Sequence, residues 1–150
     1  MLWLIVTCLV GCSNAAPSSV PVVTANASLP NGSSIVPPGQ PLGGGGKRAG
    51  DYIVWLSSVP PQPIRGLNVV EALVADSNGQ PINDATVTFD TDMTTMSHGK
   101  NLIVGTPGDN GRYGGKITFM MPGPWRVIVS IERKDRPIER TRFDFAVNLR

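Results

Sequence analysis

The sequence predicts an all-β fold, an immunoglobulin-like antiparallel β-sandwich of about seven strands over residues 51–150. Three observations carry this expectation. Apolar residues recur at every second position, as in Trp125, Val127, Val129 and Ile131, the period of a half-buried strand. Turn signals such as Asn78-Gly79, Asn110-Gly111 and Pro122-Gly123-Pro124 interrupt these runs at short intervals, the punctuation of a sandwich. Beyond residue 50 the spacing of an amphipathic helix is hard to find, so no α-helix is expected.

The chain opens on a signal-type segment, residues 1–12. Its apolar run, Leu2-Trp3-Leu4-Ile5-Val6-Thr7-Cys8-Leu9-Val10, is too short to span a bilayer, which takes about 20 residues. It suits the hydrophobic part of an export signal. Leu9-Val10-Gly11-Cys12 resembles the lipobox of bacterial lipoproteins, which implies cleavage before Cys12 and a lipid on its sulfur. An ordinary signal cut near Asn14-Ala15-Ala16 is the other reading. Either way the folded part is expected outside the cytoplasm, in the cell envelope, and the first reading anchors it to a membrane.

Residues 13–50 read as a flexible linker. No Asp, Glu, Lys or Arg occurs from 13 to 46, and Pro, Gly and Ser recur up to Gly43-Gly44-Gly45-Gly46, a composition that cannot pack a core. A flexible chain of that length reaches about 35 Å on average.

The strands follow in order. Residues 51–56 form a β-prone run closed by Pro60-Pro61-Gln62-Pro63. In 66–76, Val70, Ala72 and Val74 share a face. Ala85, Val87 and Phe89 alternate with Thr86 and Thr88, and 102–104 is a short strand ending at Gly105-Thr106-Pro107-Gly108. Tyr113, Gly115, Ile117, Phe119 and Met121 line one face of the next strand, with Lys116, Thr118 and Met120 opposite. Residues 125–132 lead to the charged bend 133–136, and a last run places Phe143, Phe145, Val147 and Leu149 together.

The net charge is +2, with no dense Lys/Arg block, which argues against nucleic acid as a partner. Both cysteines, Cys8 and Cys12, precede the domain, so no disulfide supports it. With one histidine and no nucleophile motif the chain is not expected to be an enzyme.

Soft-metal chemistry is the sharper expectation. Met93, Met96 and His98 lie within six residues, and Met120-Met121 ends another strand-like run. Thioether sulfur and imidazole suit Cu(I), whereas hard cations prefer oxygen. Met93, Met96 and His98 are therefore candidate ligands, with Met121 or Met120 completing the shell. On a continuous strand Met93 and Met96 would face opposite sides, so the site requires a turn between Thr94 and Ser97. The plainer alternative is that the methionines fill an irregular gap at the sandwich end. Asp90 and Asp92 are a weaker Ca²⁺ candidate.

Several segments together resemble the YtkA-like domain family. They are Val74-x-Asp76 before Asn78-Gly79-Gln80-Pro81-Ile82, then Asp84-Ala85-x-Val87, the Met93/Met96/His98 cluster and Gly111-x-Tyr113. Phe119-x-Met121-x-Gly123-x-Trp125-x-Val127 completes the pattern, which runs from about residue 67 to 131. The resemblance implies an exported immunoglobulin-like sandwich, with relatives beside copper-handling and respiratory-oxidase assembly proteins. Many members show Met-Pro-x-Met where this chain has Met93-Thr94-Thr95-Met96. Two functions follow: a Cu(I)-binding accessory protein, or a non-catalytic structural or protein-interaction module with no metal.

Overall fold

The computed structural model describes residues 40–97 and 101–149. The signal segment with Cys12, the linker up to residue 39, and His98 lie outside the described residues. A 3-10 turn, Leu42–Gly44, precedes the strands β1 (Lys47–Ala49), β2 (Tyr52–Val59), β3 (Gly66–Asp76), β4 (Thr86–Met93), β5 (Asn101–Val104), β6 (Thr106–Pro107), β7 (Arg112–Phe119), β8 (Gly123–Glu132) and β9 (Glu139–Val147). They form two sheets, ordered β1-β2-β3-β7-β6 and β5-β4-β8-β9, and every pairing between these strands is antiparallel. The expected all-β sandwich is the observed one.

The core follows from alternation. Tyr52, Val54, Leu56, Val70, Ala72, Val74, Ile117 and Phe119 are buried from the five-stranded sheet. Val87, Phe89, Val127, Val129, Ile131, Phe143 and Val147 face them from the other. Interleaving two such faces is what makes a sandwich stable, because each sheet alone leaves one apolar face wet.

The structure departs from the sequence expectation in four places. β1 and the 3-10 turn lie within 13–50, the stretch read as linker. Lys47-Arg48-Ala49 has no alternating pattern, and it becomes a strand because β2 offers it an open edge. Thr106-Pro107, read as a turn, forms the short β6, so the described residues hold nine strands in place of about seven. β7 stops at Phe119, two residues before Met121. β9 starts earlier than expected and ends at Val147, leaving Leu149 66% exposed.

Leu73 and Ala75 are buried although they alternate with the inward set. Leu73 sits in register between Trp55 and Arg112, two half-buried side chains from neighbouring strands. Cross-strand neighbours can thus shelter an outward-facing position.

Two glycines are set by close approach. Gly105 carries the chain from β5 in one sheet to β6 in the other, and its N–H donates to the Val87 carbonyl at 2.7 Å. A Cβ there would lie 3.1 Å from both the Val87 oxygen and the Phe89 ring. Gly111 has φ +75°, and a Cβ would be driven into the Val74 carbonyl.

Tyr113 ties the connection before β4 to the core. Its hydroxyl donates to the Ile82 carbonyl at 2.8 Å and accepts from the Ala85 N–H at 3.2 Å. Burial pushes its phenol above the ordinary tyrosine value. Tyr113→Phe orphans the Ala85 N–H and the Ile82 carbonyl, at an expected cost of about 1–3 kcal/mol, read by urea denaturation. A folded-state pKa above the unfolded value near 10 gives stability that is complete below pH ~10 and lost as pH rises through the folded value. The wild-type chain should lose stability there more steeply than Tyr113→Phe, and parallel pH profiles would contradict this assignment.

Candidate functional site

The register between β4 and β8 brings the methionine segments to one end of the sandwich. Met93, the last residue of β4, is the Cα partner of Trp125, near the start of β8. The C-terminal end of β4 therefore lies beside the β7–β8 turn that carries Met120 and Met121.

Met93 is on the inward face of β4 and only 8% exposed. A Cβ on Gly123 would lie 3.2 Å from its terminal methyl, so glycine leaves the room that this thioether fills. Beside it the Trp125 indole N–H donates to the Met121 carbonyl at 2.9 Å. The Trp125 ring meets Phe119 edge-on at 5.0 Å, and Phe119 meets Phe145 edge-on at 5.8 Å, geometries favoured by aromatic pairs. Met121 is half-buried and packed against this core.

The other two thioethers face water. Met96 is 52% exposed and Met120 67%. Their exposure follows from the backbone: β4 ends at Met93 and the chain bends through 94–96, the turn the candidate site requires. Met120 follows the last residue of β7 and stands exposed at the start of the β7–β8 turn.

Thr94 holds the start of this bend. Its N–H donates to the Pro124 carbonyl at 3.1 Å, and its hydroxyl donates to the same oxygen at 3.4 Å. A proline at 94, expected from the family pattern, would lack that N–H donor. The chain replaces ring rigidity by a hydrogen bond to β8.

The described residues thus place Met93, Met96, Met120 and Met121 at one pole, two in the packing and two at the surface. His98 lies outside them, one residue past Ser97. Alternation alone did not show the wall of Trp125, Phe119 and Phe145. The repeated spacing Phe119-x-Met121-x-Gly123-x-Trp125 was the available signal, because it sets two aromatics and a glycine around the turn.

Elsewhere the chemistry is sparse. Asp90 and Asp92 share the outward face of β4, since the strand continues to Met93. Among the described residues no group of three or more His, Cys, Asp or Glu side chains is placed to hold a metal ion. A cleft of about 630 Å³ at the other end of β4 is lined by Asp84, Glu132, Arg133, Lys134, Asp135 and Arg136. Its acids and bases balance, so it favours neither ion sign. The hydrogen bond from Arg133, 2.7 Å away, holds the Asp84 carboxyl below its ordinary value.

The fold and this spacing meet in one comparison: residues 47–130 match the model of the YtkA-like family. The chain belongs to the YtkA-like family. The match begins at β1, earlier than the residues that carry the resemblance in the sequence. Two solved structures are similar to this YtkA-like chain. FetP of uropathogenic Escherichia coli strain F11 is 13% identical, covering 72% of this chain and 95% of its own, with a TM-score of 0.53. A DUF4426 family protein from Pseudomonas aeruginosa PAO1 is 13% identical over 69% and 96%, with a TM-score of 0.48. At such identity the FetP likeness is one of fold. No curated protein matches the chain. Among the described residues no helix is long and apolar enough to cross a membrane.

Met93 should behave as a core residue whatever else the pole does. Met93→Leu keeps the volume and is expected to cost under about 1.5 kcal/mol, whereas Met93→Ala should cost about 2–5 kcal/mol. Thermal unfolding of the two variants checks the difference, and an Ala variant as stable as the Leu variant would place Met93 outside the packing.

Proposed function

We propose that this YtkA-like protein is exported, anchored to the membrane by a lipid on Cys12, and binds Cu(I) at the methionine pole for buffering or delivery. The observation that supports the metal reading is the β4–β8 register, which gathers four thioethers at one end of the sandwich. Met96 and Met120 project into solvent there, free to turn toward an ion. His98 follows two residues after Met96 and would add an imidazole. A shell of two or three sulfurs and one nitrogen suits a soft monovalent ion and gives little to Ca²⁺ or Mg²⁺.

Export and anchoring draw on the apolar run and Leu9-Val10-Gly11-Cys12. A copper-handling or respiratory-oxidase assembly protein is the partner that the family resemblance implies, and the chain itself performs no catalysis in this reading. The competing reading is a metal-free interaction module on a tether. It draws on Met93 and Met121, whose packing already accounts for their presence.

A Cu(I) competition titration separates the two. The wild-type chain is compared with a Met96→Leu/His98→Ala/Met120→Leu variant, whose changes spare the core. Loss of three donors should weaken Cu(I) binding by tenfold or more, about 1.4 kcal/mol, with the unfolding temperature held. Equal affinity in both chains removes the proposed site.

A further inference from the structure

We propose that Met96 and Met120 form a sulfoxidation site, taking an oxygen atom from hydroperoxides while Met93 and Met121 are spared. The pole presents thioethers in two tiers. Met96 and Met120 are 52% and 67% exposed, whereas Met93 is 8% exposed and Met121 packs against the core. Susceptibility to oxidation follows access to the sulfur, so one pole of the sandwich holds a reactive pair above a protected pair.

In the step itself a sulfur lone pair attacks the outer oxygen of the hydroperoxide. The S–O bond forms and the O–O bond breaks. For hydrogen peroxide the departing hydroxide takes the proton shed by the oxygen now bound to sulfur and leaves as water. Sulfur gives up two electrons and the peroxide gains them, so the hydroperoxide is the only co-reactant required.

The consequences for the fold differ by tier. A sulfoxide oxygen on Met96 or Met120 stands in water and is hydrated. The same oxygen on Met93 would be forced into the packing beside Gly123, and burying an added polar atom is unfavourable. Oxygen uptake is therefore directed to the sulfurs that the core does not use, and the folded state survives it. One further consequence rests on the copper reading: a sulfoxide has lost its soft thioether donor, so oxidant would strip two ligands from the pole and a sulfoxide reductase would restore them.

The test is a time course of the full chain in hydrogen peroxide, followed by peptide mass mapping of oxygen uptake at each methionine. Met96 and Met120 should gain oxygen about tenfold faster than Met93 in the folded chain, and at rates equal to it in guanidinium. The doubly oxidised chain should unfold at the temperature of the untreated one. Met93 reacting as fast as Met96 in the folded chain overturns the proposal, as does a large fall in unfolding temperature when only the exposed pair is oxidised. A Met96→Leu/Met120→Leu variant should take up oxygen within the folded region only at the slow rate of the buried tier at the same exposure. Cu(I) titration before and after oxidation reads the metal half separately. Equal binding in both states overturns the coupling, and no binding in either overturns the copper reading while the mapped selectivity stands.

Discussion

The antiparallel register between β4 and β8 is the constraint on which the rest depends. Eight Cα pairs hold it, from Thr86 opposite Glu132 to Met93 opposite Trp125. Side chains alternate across a sheet, so a slip of one residue would turn Val87, Phe89 and Met93 to solvent and bring Thr88, Asp90 and Asp92 inward. The same register makes the end of β4 and the start of β8 neighbours. Core formation and the gathering of the methionines are thus one event, and the sequence cannot keep one without the other.

The pole divides its sulfurs between two tasks. Met93 fills the space above Gly123, and Met121 lends its carbonyl to the Trp125 indole. Neither of these uses consumes a sulfur lone pair, since the first is a methyl contact and the second is made by the backbone. Methionine suits such a place because it is flexible enough to fill an uneven gap while remaining a soft donor. Thr94 complements it by fastening the bend to Pro124, which fixes where Met96 leaves the sheet.

Much of the fold was legible because alternation is a local signal. Trp125, Val127, Val129 and Ile131 announce β8 by themselves, and Asn78-Gly79 and Asn110-Gly111 mark real turns. β1 and β6 were not legible, since Lys47-Arg48-Ala49 and Thr106-Pro107 owe their conformation to the edges they dock on. Leu73 escaped for a related reason, being sheltered by Trp55 and Arg112 from strands far away in sequence. At the candidate site the need for a bend after Met93 followed from parity. The partnership of Trp125 with Met121 did not, because it depends on how the β7–β8 turn folds back after Phe119.

Gly105 has a mechanical consequence. Between β5 in one layer and β6 in the other stands this single residue, pressed against Val87 and Phe89. A link so short permits neither sliding nor hinging at that corner. Were one layer to peel away, the strain would pass straight to the other, so the two halves of the shell should come apart as a single cooperative body.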